Sequence, residues 1–398
     1  MKYTVIGMIS GTSYDAVDAA VADFELDGDE VLCYPRGLYS EPVPEDIRAR
    51  IAAALPPHPT TMEEVCRLDT EIGQLFGRIG ATANERLADG RADFVVSHGQ
   101  TVYHWVDGTH ALGTLQLGAA AWVAEGTGVA TVSDLRTRDI TRGGHAAPLA
   151  STLDALLVLA DDARRGSLNL GGISNITVRD DHGDVIAYDI GPASALMDSA
   201  VTDATAGAER MDTDGARAAR GTVDKALLRH FLDEPYYRLP APKSTGKELF
   251  HARYVTETVE SFDRAAPVDL DDLVATLTEL TAQLVADATK TYGLDELVVA
   301  GGGVRNPTLM RRIAELSGPA RVRLIDEFGL PAQGKEAYLF ALLGYLSVHG
   351  LPGTIPSATG ASAGSILGSI APGRTPLRLP EPAERLPRRM RVIATPQR

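Results

Sequence analysis

Cysteine is nearly absent from this 398-residue chain: Cys33 and Cys66 are the only two, and neither belongs to a CxxC pair. That excludes a disulfide framework and a cysteine-rich zinc module, and it predicts two buried thiols in a reducing compartment. Positive charge is also short. The 38 lysines and arginines face 53 aspartates and glutamates, a formal net charge of -15, which argues against nucleic acid or an anionic membrane as partner and for a small ligand. Long apolar runs are missing, since no stretch stays apolar for the roughly 18 residues of a membrane span. The opening "MKYTVIGMISG" has one lysine and too short an apolar run for a signal-peptide core, so the expectation is a cytoplasmic protein without membrane contact.

Several motifs are missing as well. There is no GxxxxGK[ST], because "KSTGKELF" ends in Gly246 and Lys247 but has Ala241 where the first glycine belongs. "GGGVRN" is not GxGxxG, "GGISN" lacks the final glycine of a nucleophile elbow, and HExxH does not occur. A P-loop, a dinucleotide fingerprint, a serine-hydrolase elbow and a metalloprotease helix are therefore disfavoured.

What is present reads as an ordinary globular protein, 44% hydrophobic and 23% charged, and long enough for two domains. "KYTVIGM" and "VDAAVADFEL" predict two strands around a tight loop. From Thr61 the pattern turns helical: "TMEE" fits a capping box in which Glu64 reaches back to Thr61, and Val65, Leu68, Ile72, Leu75, Phe76 and Ile79 share a face. A strand "DFVVSHGQTV", a helix "AAWVAEGTG" and a strand "VATVSDLR" follow. "SLNLGGISNITVRDDHGDVIAYDIGP" reads as two strands joined by a turn at Asp181 to Gly183, and Leu273, Leu277, Leu280 and Leu284 mark a helix stopping near Gly293. "ELVVAGGGVRNPTLM" is a strand, a glycine turn and a helix with Asn306 as N-cap and Pro307 as first residue. Alternating strands and helices argue for an α/β architecture with ligands at strand ends. The closing "APGRTPLRLPEPAERLPRRMRVIATPQR" reads as an extended tail. No fixed-period repeat is visible, although glycine-bearing strand ends recur.

Three of those ends, "GMISGTS", "NLGGISN" and "VAGGGVRNP", follow apolar strands. Glycine lets backbone N–H groups approach an anion, so each could cradle phosphate, although one such turn alone is more often plain geometry. Together, in one acidic chain, they favour a nucleotide. Candidate proton-handling carboxylates are Asp15, Asp18, Asp134, Asp139, Asp189 and Asp198, at or near strand ends, and Asp189 stands out where "AYDIGP" gives way to glycine and proline. "DLRTRD" brings Arg136 and Arg138, either able to clamp a substrate carboxylate or simply to pair with Asp134 or Asp139. His98 and His104 flank "GQTVY" without a metal-ligand spacing, and Glu336 opens an apolar helical run, where dipole compensation alone would explain it.

Taken in order, "GMISGTSYDAVD", "SHGQTVYHW", "LQLG", "DLRTRDITRGG", "APL", "LNLGGISNIT", "YDIGPASALMD", "PKSTGKELF", "AGGGVRNPTLM" and "GLPGTIPSATGAS" resemble the anhydro-N-acetylmuramic acid kinases, from about Ile6 to Gly373. The resemblance implies an actin-like ATPase fold: two ribonuclease-H-like lobes around a central cleft. It implies an N-terminal lobe of residues 1–133 plus 337–372, a C-terminal lobe of 134–336, and a tail of 373–398. It further implies ATP and magnesium as cofactors, a homodimer, and an anhydro-sugar substrate in cell-wall recycling.

By the same resemblance, Gly11, Thr12, Ser13, Tyr14, Asp15, Ala16, Val17 and Asp18 form the first phosphate loop, and Gly171, Gly172 and Asn175 belong to the second. Gly301, Gly302, Gly303 and Asn306 lie at the other end of the nucleotide. Asp189 maps onto the catalytic base, and Arg138, Glu336, Gln100 and Thr101 onto the sugar site; no metal ligand is assigned. The chain departs from the family pattern that the resemblance implies at Tyr14, Ala16, His145, Ala193 and Ser194, and Ala16 and Ala193 stand where that pattern has glycine. Those changes keep two further readings in view: a kinase of this fold for a different sugar, or a nucleotide- or sugar-binding protein with little catalysis.

Overall fold

A computed structural model describes residues 1–398 except 12, 109, 242, 247–248, 264–266 and 395–398. The chain divides into two compact units, Met1–Ala160 with Gly329–Arg398, and Asp161–Phe328. Its strands are β1 (Tyr3–Ser10), β2 (Ala16–Asp27), β3 (Glu30–Pro42), β4 (Phe94–Asp107), β5 (His110–Leu117), β6 (Thr131–Ser133), β7 (Arg165–Leu170), β8 (Ile173–Arg179), β9 (Val185–Pro192), β10 (Glu296–Ala300), β11 (Arg321–Leu324), β12 (Ser369–Ala371) and β13 (Arg389–Val392).

In the first unit the sheet runs β12-β6-β4-β1-β2-β3-β13, with β5 paired to β4. In the second it runs β11-β10-β7-β8-β9. Within each unit the first three strands are antiparallel neighbours, and the next two pair in parallel beside the first. With β5, which pairs antiparallel with β4, set aside, the same order, third-second-first-fourth-fifth, occurs twice: β3-β2-β1-β4-β6 and β9-β8-β7-β10-β11. This is the duplicated ribonuclease-H-like α/β fold expected from the resemblance.

Apolar residues on both faces of β1, β2 and β4 explain why these strands are central. Ile6, Met8, Val17, Val21 and Val95 pack with Leu68, Ile72, Phe76 and Ile79 of the Met62–Leu87 helix. On the opposite side, the Lys335–Val348 helix lies so close to β1 that a Cβ at Gly7 would sit 2.1 Å from the Ala337 carbonyl oxygen. In the second unit, Leu168, Leu170, Ile176 and Val299 pack with Leu277, Leu280 and Leu284 of the Leu270–Thr291 helix.

Several local expectations change. Thr61 does cap its helix, accepting from the Glu64 N–H at 3.1 Å, but the Glu64 carboxylate turns away to Arg50 at 2.7 Å, so half of the capping box forms. The segment from Ser167 to Pro192 contains three strands rather than two, because Gly171 and Gly172 reverse the chain and pair Leu170 with Ser174. Cys33 is buried as expected, whereas Cys66 is exposed on the polar face of its helix. The unit boundaries fall at 160/161 and 328/329 rather than 133/134 and 336/337. Residues 150–160 stay with the first unit because Asp154 of the Ala150–Leu157 helix is held by Lys335 at 2.5 Å, both nearly inaccessible. The tail contains β13, which pairs in parallel with β3.

Candidate functional site

Two groups of site residues emerge, one in each unit. In the first, the β1–β2 connection begins at Gly11, where an added Cβ would touch nothing within 4 Å, and its backbone is therefore open to a ligand. Tyr14 holds a left-handed φ of 42° and its N–H bonds back to the Gly11 carbonyl at 3.1 Å. Glycine would adopt that conformation freely, and Tyr14 holds it under strain. Asp15 accepts from the Ser13 hydroxyl at 2.8 Å and from the Ala16 N–H at 3.1 Å. Thr12 lies outside the described residues. Val17 is fully buried in the core and offers a ligand nothing but backbone.

Asp18 leans into the same region. Burial pushes its carboxyl above the usual range, a hydrogen bond with Ser40 opposes this, and repulsion from Asp15 adds to it. Gln100, 1% exposed, accepts from the Ser10 hydroxyl at 2.7 Å and donates to the Gly11 carbonyl at 3.3 Å, so it braces the loop from β4. Thr101 accepts from the Gln116 amide at 3.2 Å.

Glu336 begins the Lys335–Val348 helix. Crowding by surrounding protein raises its carboxyl above the ordinary value; Lys335 and Arg136 pull it down, and Asp18 pushes it up. The arginine that senses Glu336 is therefore Arg136. Arg138, carried over from the resemblance, is exposed, and among the described residues only its backbone carbonyl is engaged, by Thr141 at 2.7 Å and Ser365 at 3.5 Å. Asp139 is structural: it is fully buried, accepting from the Ala146 N–H at 2.8 Å and from the Thr359 hydroxyl at 3.0 Å. A recess of about 290 Å³ lies beside His98, lined also by Ser97, Gln116, Asp134 and Thr137. The Ser97 hydroxyl is buried there without a partner among the described residues.

In the second unit the glycine turns after β7 and β10 lie side by side, because those strands are parallel neighbours. A Cβ at Gly171 or Gly172 would meet nothing nearer than 3.5 Å, so that turn is open. Its two carbonyls accept from the N–H groups of Ser194 and Ala195 at 3.1 Å each, at the start of the Ser194–Ala204 helix. Gly301 and Gly303 are glycines for another reason: a Cβ on either would come within 2.6 Å of β7, at Asn169 or Leu170. Gly302 remains open, with only an Arg305 nitrogen at 3.9 Å. Asn306 caps the following helix, its carbonyl oxygen accepting from the Leu309 N–H at 2.9 Å.

Asp189 sits on β9 opposite Asn175 of β8. The 243–245 segment holds it: Oδ2 accepts from the Ser244 hydroxyl at 2.9 Å and the Thr245 N–H at 3.0 Å, and its backbone N–H donates to the Lys243 carbonyl at 3.0 Å. Its own carbonyl accepts from the Tyr236 hydroxyl at 2.7 Å. A carboxylate gripped through one oxygen and through its backbone has a set orientation, which a proton acceptor needs. The importance of Ser244 and Thr245 escapes sequence reasoning, since they lie more than fifty residues from Asp189.

Among the described residues no group of three or more histidines, cysteines or acids could hold a metal. That donor set does not fit a metal held wholly by protein. Magnesium carried on phosphate oxygens keeps most of its waters and needs only one or two carboxylates.

The model of the family "AnmK: Anhydro-N-acetylmuramic acid kinase" matches residues 3–373. The chain belongs to this family. A relative of that name from Streptomyces coelicolor is 53% identical over 392 residues, 98% of this chain and 100% of its own. One from Rhodococcus erythropolis is 48% identical, covering 98% and 99%. The match extends to Vibrio cholerae at 36% identity, covering 92% and 97%. The correspondence with these AnmK relatives thus runs through nearly the whole chain.

Proposed function

We propose that this chain is an ATP-dependent kinase that hydrolytically opens 1,6-anhydro-N-acetylmuramic acid and phosphorylates it to N-acetylmuramic acid 6-phosphate, in the recycling of cell-wall fragments. The observation that carries this reading is the family match over residues 3–373. Asp189 is the general base. It takes a proton from water as the water oxygen attacks the anomeric carbon; the bond from that carbon to the six-position oxygen breaks. The released oxygen attacks the γ-phosphorus, forming the sugar phosphate and leaving ADP.

Ser244 and Thr245 hold Asp189 in one orientation, which keeps the carboxylate ready for the water. Open backbone at Gly11, Gly171 and Gly172 receives phosphate oxygens through N–H groups. Asp15 and Asp18 would hold a magnesium ion arriving with the nucleotide, which would supply charge neutralisation there. Gly302 borders the nucleoside, and Glu336 takes sugar hydroxyls as an acceptor. Dependence on ATP ties the reaction to the cytoplasm. Among the described residues no helix is long and apolar enough to cross a membrane.

Incubation with ATP, magnesium and the anhydro-sugar should yield a product with the mass of the six-phosphate. ATP consumed without that product would overturn the assignment and favour a nucleotidase or a kinase of another sugar.

A further inference from the structure

Asp189 stands at a fault in its sheet. Ser174 of β8 pairs with Gly191 and Asn175 with Asp189, so Ile190 is an extra residue on β9. Such a bulge bends the strand and re-aims the side chains beside it. β9 is also the last strand of its sheet, next to β8 alone, so backbone groups that point outward from it have no ladder partner. At Asp189 both are taken from outside the sheet. The N–H donates to the Lys243 carbonyl at 3.0 Å, and the carbonyl accepts from the Tyr236 hydroxyl at 2.7 Å.

One side chain ties these two partners together. Nζ of Lys243 donates to the Tyr236 and Tyr237 carbonyls at 3.0 Å each and lies 4.6 Å from the centre of the Tyr236 ring. Among the described residues it has no carboxylate partner. Burial pulls its amine below the ordinary lysine value, so carbonyls and a ring face stand in for water around the charge. The Pro235–Arg238 turn is itself seated on the bulge, since an added Cβ at Gly191 would meet the Tyr237 ring at 2.9 Å. Within that turn the Tyr236 N–H donates to Glu234 at 3.1 Å, and the Tyr236 ring packs edge-on against Phe250 at 5.9 Å. The turn, the ammonium and residues 243–245 thus close a ring of contacts around Asp189, completed by Ser244 and Thr245 on Oδ2 at 2.9 and 3.0 Å. Loss of the ammonium removes two bonds that join the turn to the segment.

We infer that Lys243 is a positioning residue for the general base: its ammonium joins the Tyr236 turn to the 243–245 segment and so fixes both the backbone and the carboxylate of Asp189. This rests on the kinase reading above for what Asp189 does. A base carried on a bulge at the edge of a sheet has no strand on its outer side to hold it, and displacement by about 1 Å costs on the order of 10²-fold in rate.

A double-mutant cycle on the full chain tests this, with ATP, magnesium and 1,6-anhydro-N-acetylmuramic acid as substrates and the six-phosphate as the readout. Lys243→Met should lower kcat on the order of 10- to 100-fold and leave the KM values for ATP and sugar within about twofold. In an Asp189→Asn background the same substitution should change the residual kcat by less than about twofold, because no base remains to be placed. Lys243→Gln, a milder change that keeps a donor, and Tyr236→Phe, which removes only the hydroxyl on the Asp189 carbonyl, should follow the same pattern with smaller losses. A merely structural lysine would lower turnover equally in both backgrounds, and that result would overturn the inference. So would an unchanged kcat in Lys243→Met, or a loss confined to KM. A wild-type chain that makes no six-phosphate removes the kinase reading, and the positioning is then read from amide hydrogen exchange. The Asp189 amide should exchange about tenfold faster in Lys243→Met, while that of Val299, fully buried on β10, holds its rate. Exchange at Asp189 unchanged from wild type would overturn the inference whatever the activity.

Discussion

The two carboxylates of the proposed site are held by different means. Asp189 is oriented by Ser244, Thr245 and the Lys243 backbone, so Asp189→Asn keeps the shape and loses the base. Turnover should fall about 10²- to 10⁴-fold while ATP binding, measured by calorimetry, persists. Glu336 is instead held above the ordinary carboxyl value of 4.5 by the protein around it. Its protonated form suits the folded state, so that contribution is complete below the unfolded value and is lost as pH rises through the raised folded one. Glu336→Gln should match wild type in Tm near pH 4 and exceed it near pH 7.5, with reduced activity at both; an equal Tm difference at both pH values would remove the carboxyl from this account. Asp189 stands out in "AYDIGP", and the structure places it within β9, opposite Asn175. Arg136 was not separable from Arg138 in "DLRTRD", because only the fold shows that one faces His98 and the other solvent.

At the scale of elements, the glycine loops separate into those that keep space open and those that the fold itself requires. Gly301 has a φ of 91° and would place a Cβ 2.6 Å from both Asn169 and Leu170. Gly301→Ala should therefore destabilise by about 1–3 kcal/mol and weaken ATP binding together, read by melting and calorimetry. Asn306→Ala should cost about 1 kcal/mol through loss of the cap on Leu309 and leave the backbone of Gly302 in place. Asn306 and Pro307 were readable as a helix start because capping is local chemistry. The β7–β8 reversal was missed, since "LNLGGISNIT" is apolar enough to pass for a single strand and only the pairing of Leu170 with Ser174 breaks it.

At the scale of the whole chain, the duplicated strand order leaves no trace as a sequence repeat, because each unit meets the same topology with different residues: the first strand is "YTVIGMIS" in β1 and "RGSLNL" in β7. What does leave a trace is the string of loops at strand ends. The closing segment was read as a tail because its prolines hide the short alternation "RMRV". There Met390 is buried, while Arg389 and Arg391 each reach the buried Glu30 at 3.1 Å. Removing residues 386–398 should lower Tm by several degrees, since it exposes the β3 edge and leaves Glu30 unpaired. The KM for ATP should not move. The central claim is that hydrolysis of the anhydro bridge and phosphoryl transfer occur together on one sugar. Turnover in oxygen-18 water tests this most directly: the account predicts one label on the anomeric carbon of the six-phosphate product and none in its phosphate, while label in the phosphate, or an unlabelled sugar phosphate, would contradict it.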